Sequence, residues 1–296
     1  MCLSVNMTPS VSVLVPCFNL GAYLAEAVDS VFAQTRQDFE IIVVDDGSTD
    51  QSTRELLTHF KRPRTTLLRT PNRGLAAARN HALAQARGRY ICALDADDRL
   101  RPTFFEKTLG HLDANPTLTF VSTWLEVFGA ESWVWKQDRC DLNRLLEECV
   151  VLTAAPVRRE AVLAVGGYDA SLFGRRLQGH EDWDLWLSLV EAGFKGDIIP
   201  EVLFDYRRRE GSMFVVGSRG EVRVGMRHAL IDKHSVSYAR RAREVLLHRE
   251  AECGEILREN AGLELEIGRL SQTLAGAQAE LDSLSSGNGS VGADLV

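Results

Sequence analysis

Short apolar segments alternate with amphipathic helices along the first hundred residues of the chain. The predicted strands are Val11–Val15, Phe39–Val44, Thr65–Leu68 and Tyr90–Leu94. The predicted helices between them span about residues 24–32, 52–60 and 74–86. Strands that are apolar along their whole length are typical of a parallel sheet that helices cover on both faces. The alternation therefore predicts an α/β fold.

Polar residues follow three of these strands at the points where the strands end. They are Pro16–Asn19, Asp45–Asp46 and Asp95–Asp98. Ligands of parallel α/β sheets bind outside the carboxyl ends of the strands. We therefore expect the three tips to form one site at one edge of the sheet.

The tip of the fourth strand carries three carboxylates, on Asp95, Asp97 and Asp98. Alternation along an extended chain directs Asp95 and Asp97 to the same side, within reach of one ion. Their hard oxygen ligands favour Mg²⁺ or Mn²⁺, ions that keep open positions for substrate phosphates. A solvated, Asp-rich turn also explains these residues. The two other polar tips at the same edge favour the metal site.

Several classes of function are disfavoured by the sequence. The chain has 296 residues, a formal net charge of −7 and a pI near 5.6, which argues against nucleic-acid binding. It contains neither a GxGxxG motif nor a P-loop. Its six cysteines show no CxxC spacing and indicate reduced thiols. Without an apolar run of membrane length or a secretory signal, the expected location is cytoplasmic, and peripheral association with the inner face of a membrane stays open.

The second half of the predicted domain holds two further clusters of charge. Glu181 and Asp182 lie in the first turn of a helix that begins within Gly179–Trp186. They could complement the helix dipole and cap free N–H groups, or they could supply a catalytic base, and their spacing does not separate these roles. The arginines Arg207–Arg209 follow a predicted strand at Val202–Tyr206 and could clamp a diphosphate.

Two series of residues repeat every seven positions near the C-terminus. They are Leu246, Cys253, Asn260, Ile267, Leu274 and Leu281, and Ile256, Leu263, Leu270, Ala277 and Leu284. Such heptads predict a coiled coil that joins copies of the chain, in which Asn260 would fix the register. A long helix folded back onto the domain is the alternative. The predicted organisation is a domain at 1–225, a helical coiled-coil extension at 226–284 and a disordered tail at 285–296.

Five motifs, in this order, resemble those of family 2 glycosyltransferases over about residues 10–215. They are Val11–Asn19, Asp45–Asp50, Asn72–Asn80, Leu94–Asp98 and His180–Trp186. The resemblance implies a GT-A fold, with a single, mostly parallel, Rossmann-like sheet flanked by helices. Residues 10–100 would bind the nucleotide and residues 101–216 the acceptor. It also implies a nucleotide-diphosphate sugar donor, an acceptor hydroxyl, a divalent metal (Mn²⁺ or Mg²⁺) and inversion at the anomeric carbon.

The resemblance assigns roles on the donor side. Pro16 and Asn19 would lie by the nucleotide, and Asp45 would bind its base. Asp95 would meet the ribose side and share in the metal site, and Asp97 would hold the metal that bridges the two phosphates. The remaining residues assigned to donor binding are Asp46, Arg73, Arg79, Ala96, Arg207 and Arg209.

On the acceptor side, Asp182 matches the catalytic base of the family, and Glu181 would support it or contact the acceptor. One base without an enzymatic nucleophile implies a single displacement with inversion. The chain departs from the family at Arg209, where many relatives carry a histidine. This departure puts a histidine ligand to the metal in doubt and favours a direct contact between arginine and phosphate.

Two other functions compete with this interpretation. A nucleotidyltransferase uses a related sheet and metal site, but it would carry a Gly-rich loop with a basic residue where this chain has Cys17–Gly21. A catalytically silent scaffold would use the coiled coil to assemble other enzymes of glycan synthesis. The clustered acids Asp95, Asp97 and Asp182 argue against the scaffold.

Overall fold

The computed structural model describes residues 8–172, 179–209 and 220–287. The chain divides into a first compact unit that ends at Arg241 and a second that begins at Ala242. Residues 226–241, assigned from the sequence to the helical extension, thus belong to the first unit.

The elements follow the predicted alternation of strands and helices in the first hundred residues. In chain order they are β1 (Val11–Cys17), α1 (Gly21–Phe32), β2 (Phe39–Asp45), α2 (Gln51–His59), β3 (Thr65–Arg69), α3 (Leu75–Gln85), β4 (Tyr90–Ala93), β5 (Arg99–Leu100), α4 (Phe104–Ala114), β6 (Phe120–Gly129), β7 (Trp133–Trp135), α5 (Leu142–Glu147), β8 (Val157–Arg158), α6 (Arg159–Ala164), α7 (Glu181–Glu191), β9 (Gly196–Arg208), α8 (Gly220–Lys233) and α9 (Ser235–Gly287).

Four parallel strands form one half of the sheet, in the order β3-β2-β1-β4. The register places Cys17 beside Asp45 and Leu14 beside Ala93, so the carboxyl ends of β1, β2 and β4 lie at the same edge. Every residue of these three strands is buried. The sheet is therefore covered on both faces at β1, β2 and β4, which explains why these strands are mostly apolar along their length. Strand β3, at the edge, is partly exposed.

The other half of the sheet is mixed, and its order continues as β8-β6-β9-β5. Strand β8 pairs antiparallel with β4 and β6, and β5 pairs antiparallel with β9, whereas β6 and β9 are parallel. Strands β5 and β8 have two residues each, too few to leave a periodic pattern in the sequence. The predicted single α/β sheet with flanking helices is confirmed.

Strand β9 spans Gly196–Arg208 and is longer than the strand predicted at Val202–Tyr206. Its register with β6 shifts at Trp124, where Ile199 and Val202 pair with successive β6 residues. Pro200 lies within this shift, and a proline cannot donate a ladder hydrogen bond. Beyond the irregularity, β9 delivers its terminal arginines to the edge where β4 ends.

Helix α7 is buried on most of its circumference, which fixes the position of its first turn. The Trp186 ring packs against Phe120 with 5.0 Å between the ring centroids. The Trp183 indole N–H donates to the carbonyl of Leu145 at 2.6 Å. The acidic first turn is therefore the end of a rigid, packed element.

The described part of the second unit is helical, as predicted, and belongs to α9, a helix of 53 residues. The large apolar heptad residues whose side chains the structure describes are each between 56% and 71% exposed; they are Leu246, Ile256, Leu263, Ile267, Leu270 and Leu274. The helix continues through residues 285–287, at the start of the segment predicted to be disordered, and residues 288–296 lie outside the described part. Among the described residues, no helix is both long and apolar enough to cross a membrane.

Candidate active site

The tips of β1 and β2 are tied together by the side chain of Asn19. Its backbone is left-handed, with φ of 56°, a conformation that asparagine tolerates. Its Oδ1 accepts hydrogen bonds from the backbone N–H groups of Thr49 (2.7 Å) and Asp50 (3.0 Å). Its own N–H donates to the Ser48 hydroxyl at 3.1 Å. Asn19 therefore shapes this edge of the sheet by fixing two loops.

The two aspartates at the end of β2 are both buried but have different partners. The carboxylate of Asp46 accepts the N–H groups of Arg73 (3.0 Å) and Gly74 (2.9 Å), directly before α3, so its oxygens are committed to that loop. Oδ1 of Asp45 accepts the Ser48 N–H at 2.9 Å. Among the described residues, Oδ2 of Asp45 has no hydrogen-bond partner, which leaves it available to a ligand.

The acidic tip of β4 is a tight turn, closed by a hydrogen bond from the N–H of Asp98 to the carbonyl of Asp95 at 3.1 Å. The Asp98 carboxylate is buried and accepts the N–H of Arg207 at 2.8 Å. Burial and the charges of neighbouring acids raise the pKa of Asp98 well above its ordinary range. Nε of Arg207 donates to the carbonyl of Asp97 at 2.8 Å. Asp98 and Arg207 thus hold the shape of the turn.

Asp95 and Asp97 are the more exposed carboxylates of this turn, with side chains 25% and 14% exposed. Oδ2 of Asp97 accepts a hydrogen bond from Nε of Arg209 at 2.7 Å. Carboxylate oxygens are the ligands that Mg²⁺ and Mn²⁺ prefer, and the turn offers no sulfur or imidazole that would select zinc. The donor set of the turn therefore fits a hard divalent cation.

Arg79 of α3 connects the donor-side turn to the start of α7. Its side chain is 1% exposed, and its Nη2 donates to Oδ1 of Asp95 at 2.6 Å while its Nη1 pairs with Glu181. Burial alone would lower the pKa of Arg79, but the two carboxylates raise it above its ordinary value. The guanidinium therefore stays charged. Arg79 is buried beneath the donor-side turn and contacts that turn through the carboxylate of Asp95.

The two acids that open α7 have different surroundings. Burial is the largest influence on Glu181 and raises its pKa to about 7, although the charge of Arg79 opposes this shift. Asp182 is partly exposed, and its carboxylate accepts the Thr153 hydroxyl and, at 2.8 Å, the N–H of Trp183. The carboxylate of Asp182 is thus the accessible one of the pair, held in one orientation.

The next acid along α7 anchors the helix to the end of α8. Asp184 is buried and accepts the ammonium of Lys233 at 2.8 Å, and it faces Nε2 of His234 at 3.0 Å. Burial alone would lower the pKa of His234, but its hydrogen bonds to Asp184 and Glu191 raise it. These contacts keep the first turn of α7 in place.

Several of these residues were not found from the sequence. Thr153 lies on a loop without a periodic pattern, and His234 lies between two helices, far along the chain from Asp184. Of the other predicted donor residues, Pro16 is part of β1, Ala96 is fully buried in the acidic turn, and Arg73 is exposed.

The sequence matches the family model described as "Glycosyl transferase family 2" over residues 12–161. It is 31% identical over 212 residues to EpsE of Bacillus subtilis (strain 168), which is named as a glycosyltransferase; the match covers 68% of this chain and 74% of EpsE. It is also 36% identical over 121 residues to chondroitin synthase of Escherichia coli, covering 40% of this chain and 18% of that protein.

The fold is similar to that of S. aureus TarS. The structure of TarS residues 1–349 superposes with a TM-score of 0.57 at 17% identity, covering 78% of this chain and 74% of that one. Its complex with UDP-GlcNAc superposes with a TM-score of 0.56 at 19% identity, covering 70% and 60%. At these identities the likeness shows a shared GT-A-like fold, while the sequence matches show the family. The chain is a glycosyltransferase and belongs to glycosyltransferase family 2.

Proposed function

We propose that this glycosyltransferase is a metal-dependent, inverting enzyme that moves a sugar from a nucleotide-diphosphate donor to an acceptor hydroxyl. The observation that carries the proposal is the buried bridge of Arg79, which joins Asp95 at the donor-side turn to Glu181, the neighbour of Asp182. The bridge supports a single site in which the donor carboxylates and the base act on the same bond.

Asp182 is the proposed general base. Its carboxylate takes the proton of the acceptor hydroxyl while the hydroxyl oxygen forms a bond to C1 of the sugar. The bond between C1 and the phosphate oxygen breaks, and its electron pair leaves with the nucleoside diphosphate. Without an enzymatic nucleophile the displacement is single and inverts the anomeric carbon. Thr153 and the first turn of α7 aim the carboxylate.

The donor is held by the tips of β1, β2 and β4. The free oxygen of Asp45 would recognise the base, Asp95 would meet the ribose, and Asp97 would hold the divalent cation. A bound Mn²⁺ or Mg²⁺ would neutralise charge on the departing diphosphate. Arg209, at the end of β9, is close enough to Asp97 to contact the phosphates.

The names of similar proteins favour a UDP-linked donor and a polysaccharide acceptor. TarS is named in complex with UDP-GlcNAc, and chondroitin synthase is named for a polysaccharide product. The exposed heptad residues of α9 support self-association of the chain. Membership of the family leaves the silent scaffold as the rival, in which the same coiled coil would serve assembly alone.

A screen of donors with a product analysis tests the proposal. Melting temperatures are measured with Mn²⁺ and UDP-, GDP-, TDP- or CMP-linked sugars, and the donor that stabilises most is then used for turnover. Proton NMR of the first-formed product should show the inverted anomer, and EDTA should stop the reaction. A retained anomer, or turnover that EDTA leaves unchanged, would contradict the mechanism. Donor binding without any turnover would favour the scaffold.

A further inference from the structure

We propose that Arg209 is a built-in competitor of the divalent cation for the Asp97 carboxylate. The inference rests on the proposed function, because it takes Asp97 as a ligand of the cation. Nε of Arg209 donates to Oδ2 of Asp97 at 2.7 Å. The guanidinium therefore holds one of the two oxygens through which Asp97 would bind a cation, and its positive charge lies next to the place that the cation would take.

Arg209 is held by fewer contacts than Arg207, which lies two residues earlier, near the end of β9. The guanidinium of Arg207 pairs with Glu26 and lies between the rings of Tyr23 and Phe128, at 4.9 and 4.4 Å from their centroids. Its side chain is 16% exposed, against 30% for Arg209. Within the described part of the chain, Arg209 has one ion pair, the one with the acidic turn. The guanidinium of Arg209 lies over the Tyr23 ring as well, at 5.8 Å from its centroid. Because Arg209 is the more exposed of the two and has fewer contacts, it is the arginine that another anion can displace.

The strength of this competition can be expressed as a change in the apparent dissociation constant of the cation. A cation that needs Oδ2 of Asp97 binds only in the fraction of molecules in which the pair with Arg209 is open, and its apparent dissociation constant rises by the inverse of that fraction. Partly exposed ion pairs are weak, so the factor is about threefold to tenfold. The pair therefore lowers the affinity for a free cation without abolishing it.

A diphosphate offers Arg209 a second anionic partner. The planar guanidinium binds phosphate oxygens through two N–H groups, in a geometry that one carboxylate oxygen does not fill. A nucleotide that draws Arg209 from Asp97 strengthens cation binding, and by linkage the cation strengthens nucleotide binding by the same factor. The exchange favours binding of cation and donor together over binding of either one alone.

Titration of the full chain with Mn²⁺ alone, by calorimetry, tests the competition. Arg209→Gln should bind Mn²⁺ about threefold to tenfold more tightly than the wild type. Arg208→Gln removes the same charge one residue away, from a side chain that pairs with Glu131 at 3.4 Å, and should change the affinity by less than about twofold. Equal tightening in both variants would show a general effect of charge, and no tightening in Arg209→Gln would show no competition; either result overturns the inference.

Asp97→Asn separates a failure of this inference from a failure of the proposed function. Loss of Mn²⁺ binding in Asp97→Asn, with no tightening in Arg209→Gln, leaves the metal site in place and overturns the competition alone. Mn²⁺ binding that survives Asp97→Asn contradicts the metal site itself. The exchange is tested with whichever of UDP, GDP and TDP raises the melting temperature most. This nucleotide should tighten Mn²⁺ binding by a larger factor in the wild type than in Arg209→Gln. Equal factors in the two proteins would overturn the proposed exchange.

Discussion

Asp182 is oriented before any acceptor arrives, because the Thr153 hydroxyl and the N–H of Trp183 both donate to its carboxylate. Asp182→Asn keeps the shape of the side chain but removes its basicity. We expect kcat to fall about 10²- to 10⁴-fold, the usual contribution of a general base. The dissociation constant of the donor should be unchanged, since the proposed base would act on the acceptor. Nucleoside diphosphate release measures the first quantity, and calorimetry with the donor measures the second.

The matched control for this variant is Asp29→Asn, the same chemical change at an exposed carboxylate of α1. It should leave kcat within about twofold of the wild type. If Asp182→Asn turned over the donor as fast as this control, Asp182 would not be the base.

Glu181 gives the stability of the protein a pH dependence with a definite sign. Burial raises its pKa from an ordinary 4.5 to about 7, so the folded chain binds this proton more tightly than the unfolded chain. The stabilisation is present below about pH 4.5 and is lost as the pH rises through 7. Glu181→Gln cannot titrate. The free energy of unfolding of the wild type, minus that of Glu181→Gln, should therefore fall across this window.

Urea unfolding of both proteins at several pH values between about 5 and 8 measures this difference. A difference that stays constant, or rises with pH, would mean that the charge of Arg79 outweighs burial and keeps Glu181 ionised.

At the scale of the element, Arg79 connects α3 to the end of β4 and to the start of α7. Arg79→Met removes the charge but keeps an unbranched side chain of similar length. It leaves Asp95 and Glu181 without their buried partner, and breaking a buried ion pair in this way costs about 3–5 kcal/mol. We expect a loss of that size in the free energy of unfolding, measured by urea titration near neutral pH.

Arg54→Met, at an exposed position of α2, is the matched control and should cost less than about 0.5 kcal/mol. A loss in Arg79→Met no larger than that of the control would show that the bridge does not hold the two halves of the site together.

The elements that could be predicted from the sequence are those whose own residues form a recognisable apolar pattern. Apolar runs predicted β1, β2 and β4, and the register of these strands brings their polar tips to one edge, where the candidate site lies. The sequence did not predict that Arg79 would join two of the acids, because Glu181 is far from it along the chain and only the tertiary fold brings them together. Similarly, Thr153 has a role only because its loop passes beside α7.

At the scale of the whole molecule, the second unit offers an apolar seam that its own residues leave exposed. Soluble proteins rarely present a continuous apolar face of this kind without a partner. A second copy of the chain fits the observations, because heptad residues pair with identical residues in a parallel coiled coil and Asn260 stands at a core position. We therefore expect the full chain of 32.9 kDa to sediment as a dimer.

Substitution of two seam residues tests this expectation. Leu263 and Leu270 occupy d positions, and burying each of them contributes about 1.5–3 kcal/mol. Changing both to glutamate removes this contribution and places like charges opposite each other, so the double variant should sediment as a monomer. Leu265→Glu is the control, because Leu265 is 75% exposed but lies outside the seam, and this variant should stay dimeric. A monomeric wild type, or equal dissociation of both variants, would contradict the coiled-coil dimer.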